Sequence, residues 1–329
     1  MRSDTAARAS DASPAGTPTP AGTKLTAEAT QFRTRGKYAP PIWGHRPGPL
    51  TNILRVVAFV ILIALVLFPF LIVVSTSLST GQAITDAGGL VVIPTEISLE
   101  AYTRILTGGV VTQSLLVSIV VTAAGTAISL VVTVLAAYSL SRVGTLWHRG
   151  LLMTVLLTFL FAPSIIPLYV VVQGLGMLDT LWALILPTSL SAFNLVIVRG
   201  FIMNLPPELF EAARIDGASE WWVLTRLAVP LSKSVIAVVG LFYGVTYWNA
   251  FFNAMLYLRD TSNWPLQLVL RTYVLQGAPL TLDNTGEIPP PSQAVQMAVV
   301  VIAIIPVLLV YPFVQRHLTK GVLTGALKG

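Results

Sequence analysis

Six long stretches of the chain run almost without polar side chains, at about 53 to 78, 111 to 140, 151 to 173, 181 to 202, 233 to 258 and 294 to 315. Each is long enough for an α-helix to cross a hydrocarbon layer, which takes roughly 20 residues. The runs are continuously apolar rather than alternating. That is a helical pattern, because strands in lipid satisfy their backbone polar groups only in a closed barrel and then alternate. The expected fold class is an all-α membrane protein with six transmembrane helices. The second run is long enough to tilt or to extend into water. Pro69, Pro163, Pro167, Pro187 and Pro306 fall within runs and predict kinks, since proline removes a helical N–H. Such kinks serve either static packing or helices that line a path opening alternately to two sides.

Composition narrows the class. Of 329 residues, 54% are hydrophobic and 10% charged, against roughly 25% charged in soluble domains, and the mean hydropathy is +0.78. The net charge of +6 does not point to nucleic acid, because the charges sit in loops and tails beside apolar runs. Of the 20 Lys and Arg residues, all but Arg104, Arg259 and Arg271 fall on one side of a six-span arrangement. By the positive-inside rule both termini are then cytoplasmic. The absence of cysteine excludes disulfides, thiolate metal sites and cysteine nucleophiles.

No Asp, Glu or Lys lies well inside a run, whereas ion-coupled transporters usually bury an ionisable residue on the ion path. An intramembrane enzyme would need a catalytic dyad or metal cluster at that depth, and the sequence offers neither. Residues 1–48 are rich in Ala, Thr, Pro, Ser and Arg and are expected to form a disordered cytoplasmic tail. The first apolar run starts near Ile53, too far along for a secretory signal. The expected organisation is this tail, a first transmembrane helix and extracytoplasmic loop over 49–110, and a transmembrane core over 111–329.

Between the fourth and fifth runs lies a polar segment, residues 204–230. Asn204 is a candidate N-cap, prolines are tolerated in a first helical turn, and Glu208 suits the positive end of a helix. A short helix is predicted from Pro206 to Asp216. Gly217 fits the left-handed residue that ends such a helix, and Ser219 can cap a second helix through Trp222 to Leu227. Ala212, Ala213 and Gly217 present little side chain, so this elbow suits a groove on a partner, with Glu211 and Arg214 offering charge at its edge. Trp221 and Trp222 suit a lipid interface.

Glu211-Ala212-Ala213, three residues, Gly217, nine residues, Leu227, one residue and Val229-Pro230 resemble the EAA loop of binding-protein-dependent ABC importer permeases. That pattern reads Glu-Ala-Ala, three residues, Gly, nine residues, Ile, one residue, Leu-Pro; Leu227 and Val229 are conservative departures. The resemblance spans about residues 50 to 329. It implies a cytoplasmic coupling helix between helices 4 and 5 that docks into a separate ATPase, with Glu211, Ala212, Ala213, Asp216, Gly217 and Pro230 as the coupling residues. A phosphate-cradling Gly-Lys-Ser/Thr loop is missing, since Gly36-Lys37 is followed by Tyr38. ATP and Mg are therefore expected on the partner, with no catalytic residue, metal or cofactor on this chain.

Three stretches are most similar to the carbohydrate branch, in particular the second permease of maltose-type systems: Glu211 to Ala218, Tyr247 to Leu258 leading to Pro265-Leu266-Gln267, and Gly321 to Gly329. The middle stretch further resembles permeases for complex oligosaccharides. This implies a different second permease, two ATP-binding cassette subunits and an extracytoplasmic solute-binding protein, in the cytoplasmic membrane of a prokaryote. In that branch the closing glycine-rich tail reaches toward the ATPases; by itself it also reads as disordered. Tyr243, Thr246, Asn249 and Asn253 recur at helical spacing and predict one polar stripe on the fifth helix. With Tyr247 and Trp248 they offer amide hydrogen bonds and flat stacking faces to a sugar. The same residue types also join helices and anchor them at interfaces. His148 and His317 lie next to Arg at membrane borders and are expected to be interfacial.

Overall fold

The computed structural model describes residues 49–107, 109–142, 147–161, 163–276 and 292–326. The predicted tail over 1–48, the acids Asp283 and Glu287 and the last residues 327–329 lie outside them. Residues 1–64 and 65–329 form two compact units. In the first, the described residues 49–64 open helix α1 (Pro49–Ser77), and all of them are exposed.

In chain order the remaining helices are α2 (Gly81–Asp86), α3 (Glu100–Leu106), α4 (Val110–Ser141), α5 (His148–Leu160), α6 (Ile165–Gly174), α7 (Trp182–Ile185) and α8 (Ala192–Met203). Then follow α9 (Pro207–Ile215), α10 (Glu220–Trp222), a π turn over Val223–Ala228, α11 (Val229–Leu231), α12 (Lys233–Trp248), α13 (Phe251–Tyr257), α14 (Leu266–Arg271) and α15 (Gln293–Ala326). Among the described residues the only β contact is the isolated bridge between Ser79 and Ile97.

Among the described residues three helices are long and apolar enough to cross a membrane: α1, α4 and the Gln293–Pro312 part of α15. Two bent pairs bring the number to five, with bends of 49° between Trp182–Thr188 and α8, and 81° between Glu220–Leu231 and α12. The run predicted as a third span is divided between α5 and α6, with Pro163 in the break. Proline has no N–H to continue the ladder. Pro187 likewise sits in a 3-10 turn, while Pro69 and Pro306 are absorbed within long helices.

The core of the larger unit is built on α4. Ser114, Ser118, Gly125, Ser129 and Thr133 are buried along it at helical spacing, giving a face narrow enough for close helix approach. Ser129 Oγ and Tyr247 Oη lie 2.7 Å apart, as do Thr133 Oγ1 and Tyr243 Oη. Tyr247 also donates to the Ile185 carbonyl at 3.0 Å, and Tyr243 accepts from the Ser191 N–H at 2.9 Å. The two tyrosines thus pin α12 to α4 and to the bend of the α7–α8 pair, Tyr247 at the last residue of α7 and Tyr243 at the cap of α8. Ser118 Oγ accepts the Leu266 N–H at 2.7 Å, fixing the start of α14 to the same face.

At the Val110 end of α4 a second apolar cluster joins α2, α3, α14, Trp248 and the start of α15. Here Asp179, in the left-handed region at φ 61°, accepts the N–H groups of Arg259 and Asp260 on one carboxylate oxygen, each at 2.9 Å. Its own N–H donates to the Tyr257 carbonyl at 2.9 Å. This buckle holds the segment after α13 against the turn before α7. Hydrogen bonds from Ser262 hold the Asp260 carboxyl below its ordinary pKa.

A Cβ on Gly125 would lie 2.8 Å from three ring atoms of Tyr247, a side chain only 2% exposed. Gly125→Ala is therefore expected to destabilise the detergent-solubilised protein by about 1–3 kcal/mol, read as a drop of several degrees in its thermal unfolding midpoint.

Candidate functional site

The segment over 204–230 folds as an elbow of two helices, and its local rules explain the turn. The cap of α9 is Pro206, not Asn204; Asn204 instead ends α8, its side-chain amide donating to the Gly200 carbonyl at 2.9 Å. Asn204 is therefore a C-terminal cap, because the chain needs the turn Leu205-Pro206 before helical geometry resumes. Glu208 stands in the first turn of α9 and Arg214 in its last, each matched to the helix dipole.

Gly217 ends α9 at φ 76°. The Ala218 N–H donates to the Ala213 carbonyl at 2.9 Å and the Gly217 N–H to the Arg214 carbonyl at 3.0 Å, the paired bonds of a Schellman turn. Ser219 then caps α10, its hydroxyl accepting the Trp222 N–H at 3.2 Å. The predicted second helix is α-helical only through Trp222 and widens into the π turn up to Ala228. π turns are rare and concentrate at functional sites. Pro230 lies exposed just beyond, and Ser232 marks the 81° bend into α12, its buried hydroxyl without a hydrogen-bond partner among the described residues.

Of the elbow residues singled out by sequence, Glu211, Ala212, Asp216, Gly217 and Pro230 are exposed and Ala213 is buried. Leu209, Ile215, Trp221 and Trp222 add exposed apolar surface to the same elbow, Ile215 at 86% exposure. Behind the elbow, a cavity of about 660 Å³ separates it from the ends of α4 and α8, lined among others by Tyr138, Arg142, Met203, Phe210, Glu211 and Arg214.

Three residues of this region escaped the sequence reading: Tyr138, Arg142 and Glu220. Arg142 Nη2 lies 2.7 Å from Glu220 Oε2, Nη1 donates to Oε1 at 3.1 Å, and the Tyr138 hydroxyl donates to Oε2 at 2.7 Å. The one signal available in sequence was that Arg142 is the first charge after the apolar run of α4.

The fifth-run residues divide. Tyr243, Tyr247 and Trp248 are buried with their polar atoms bonded inside the chain, Trp248 Nε1 to the Ala303 carbonyl at 3.1 Å. Thr246 and Asn249 are exposed and bond back to Phe242 and Val245 at 2.8 and 2.9 Å. Asn253 is half-buried on α13. The predicted single stripe is interrupted, because α12 stops at Trp248 and a new helix starts at Phe251.

Residues 129–324, which contain the elbow and most of the core, match the family described as the binding-protein-dependent transport system inner membrane component. The chain belongs to this family. Among relatives of this permease is the polygalacturonan/rhamnogalacturonan transport system permease protein YtcP of Bacillus subtilis (strain 168), 43% identical over 276 residues, covering 82% of this chain and 96% of the relative. Protein LplC of the same organism is 42% identical over 269 residues, 81% of this chain and 90% of its own length. Among solved structures, a chain of a bacterial ABC transporter that imports the acidic polysaccharide alginate superposes with a TM-score of 0.75 at 29% identity, covering 83% of this permease and 98% of that chain.

A side chain at Gly217 must adopt a left-handed conformation, which costs roughly 1–2 kcal/mol for most residues and least for Asn. Nothing lies within 4 Å of a Cβ built there, so the penalty is conformational. Gly217→Asn is expected to keep wild-type amide exchange at Ala218, and Gly217→Val to speed it about tenfold, by hydrogen–deuterium exchange.

Proposed function

We propose that this chain is the transmembrane permease subunit of an ATP-driven carbohydrate importer, passing oligosaccharide by alternating access while a separate subunit hydrolyses ATP. The observation that carries the reading is the exposed elbow with its Schellman turn at Gly217, inside the segment matched to the family. Membership of a binding-protein-dependent family supports the reading that an extracytoplasmic binding protein delivers the solute. The polysaccharide transporters among the relatives favour carbohydrate, and acidic oligosaccharides in particular, over other small solutes.

In this reading α5 and α6 together make a sixth span, both termini are cytoplasmic and the chain is a multi-pass protein of a prokaryotic plasma membrane. A second, different permease completes the pathway. Two ATP-binding cassette subunits carry ATP and Mg, and Glu211, Ala212, Ala213, Asp216, Gly217 and Pro230 form the lever against one of them. The exposed apolar side chains Leu209 and Ile215 are the kind of surface that a partner's groove covers.

Of the six candidate pathway residues, Thr246 and Asn249 are the exposed ones, and they are proposed to meet sugar hydroxyls, with Asn253 as a further candidate. Tyr243, Tyr247 and Trp248 shape that wall from behind.

Deleting residues 208–218 is expected to abolish co-purification of the ATPase with the permease pair; an ATPase retained at wild-type level would sink the docking role. Asn249→Ala removes one amide partner, an interaction of about 1 kcal/mol. It should raise the half-saturating concentration for oligogalacturonide uptake about fivefold, measured in proteoliposomes with binding protein.

A further inference from the structure

Glu220 follows the Ser219 cap as the first residue of α10, where a helix dipole favours an acid. Its carboxylate nevertheless reaches back to Arg142, 78 residues earlier, and takes three donors from the end of α4: both terminal nitrogens of Arg142 and the Tyr138 hydroxyl. Arg142 is itself held between aromatic faces, 4.7 Å from the centroid of Tyr138 on α4 and 5.5 Å from that of Phe210 on α9. Its side chain is 16% exposed and that of Glu220 63%. One guanidinium therefore touches both arms of the elbow and belongs to the span.

The magnitude of the pair decides what it is for. With Glu220 largely in solvent, the ion pair adds little to stability, so folding of the bundle does not rest on it. What the arrangement does fix is direction. A guanidinium fork on a carboxylate admits one planar alignment, and Tyr138 supplies a third point.

The same end of α4 is tied to α8 by Arg199 Nε, which donates to the Leu140 carbonyl at 2.8 Å. The π turn carries the chain from α10 into α12. A displacement of the elbow is thus delivered to α4 and α12 together. Those two helices are joined by the Ser129–Tyr247 and Thr133–Tyr243 pairs.

We propose that Glu220, with Arg142 and Tyr138, is a positioning clamp that makes the elbow and the end of α4 one mechanical body. ATP-driven movement of the elbow then becomes movement of the spans; this inference rests on the coupling role proposed above.

The test uses the full transporter, with both permeases, ATPase and binding protein, in proteoliposomes with oligogalacturonide as the probe. Glu220→Gln keeps an acceptor for Tyr138 and removes the charge. ATPase co-purification and basal hydrolysis should stay within about twofold of wild type, while sugar imported per ATP falls about fivefold, the lower end of typical coupling. Arg142→Lys, which keeps the charge and loses the fork, should show the same loss.

The Arg142→Lys/Glu220→Gln double variant should lose no more than either single one, because residues acting as a unit are not additive. Wild-type import per ATP in Glu220→Gln or in Arg142→Lys, or losses that multiply in the double variant, would overturn the clamp. If the wild-type chain itself neither holds the ATPase nor imports, the coupling reading falls and the clamp with it. If wild type does both and Glu220→Gln matches it, the clamp alone falls.

Discussion

Tyr247 Oη meets Ser129 on one side and the Ile185 carbonyl on the other, and Tyr243 Oη meets Thr133 and the Ser191 N–H. These four bonds set the register of α4, α12 and the bent α7–α8 pair, and the other helices of the core arrange themselves around that trio. Each bond is worth only about 1 kcal/mol between membrane helices, so their importance is not energetic weight. Apolar side chains slide past one another at little cost when lipid is the alternative. A buried phenol that must find its oxygen does not. The small residues along α4, Gly125 above all, let the rings come close enough to make those bonds.

The elbow is built on the opposite logic. Its turns are specified locally by a left-handed glycine and a serine cap, and its outer face is left bare. Immediately after it the backbone departs from α geometry in a π turn, then carries Pro230 and a sharp bend at Ser232. In the coupling role proposed above, the elbow needs a second contact to keep it from swivelling about this bend. The Arg142–Glu220 fork provides that contact from a helix remote in sequence. At the other end of the bundle Asp179 does a similar service, using its carboxylate to buckle the segment after α13 to the turn before α7.

The broken helices follow one physical rule. Where Pro163 and Pro187 interrupt the ladder, and where α12 gives way to α13 after Trp248, freed backbone groups must be satisfied within the protein. At the end of α12 its own last turn provides the partners: the Asn249 N–H donates to the Val245 carbonyl at 3.1 Å and the Ala250 N–H to the Tyr247 carbonyl at 3.3 Å. The break also separates Asn253 from the face that Thr246 and Asn249 share. A helical wheel drawn through residues 243–253 therefore misplaces the far end.

By itself the sequence determined what depends on near neighbours and on transfer from water. Apolar runs required helices, though only three continuous ones among the described residues reach membrane length, and Gly217 with Ser219 required the turn between two short helices. The spacing from Glu211 to Pro230 carried the family likeness. The place of Asn204 is local too, its amide bonding Gly200 four residues back, but two adjacent helix ends competed for it and the sequence rule chose the wrong one. Tertiary structure alone decided that Tyr243, Tyr247 and Trp248 turn inward, because hydroxyl and indole groups go where a distant oxygen awaits them. The meeting of Arg142 with Glu220, 78 residues apart, was likewise out of reach of sequence. No local rule pairs charges on separate helices until packing has brought their ends together.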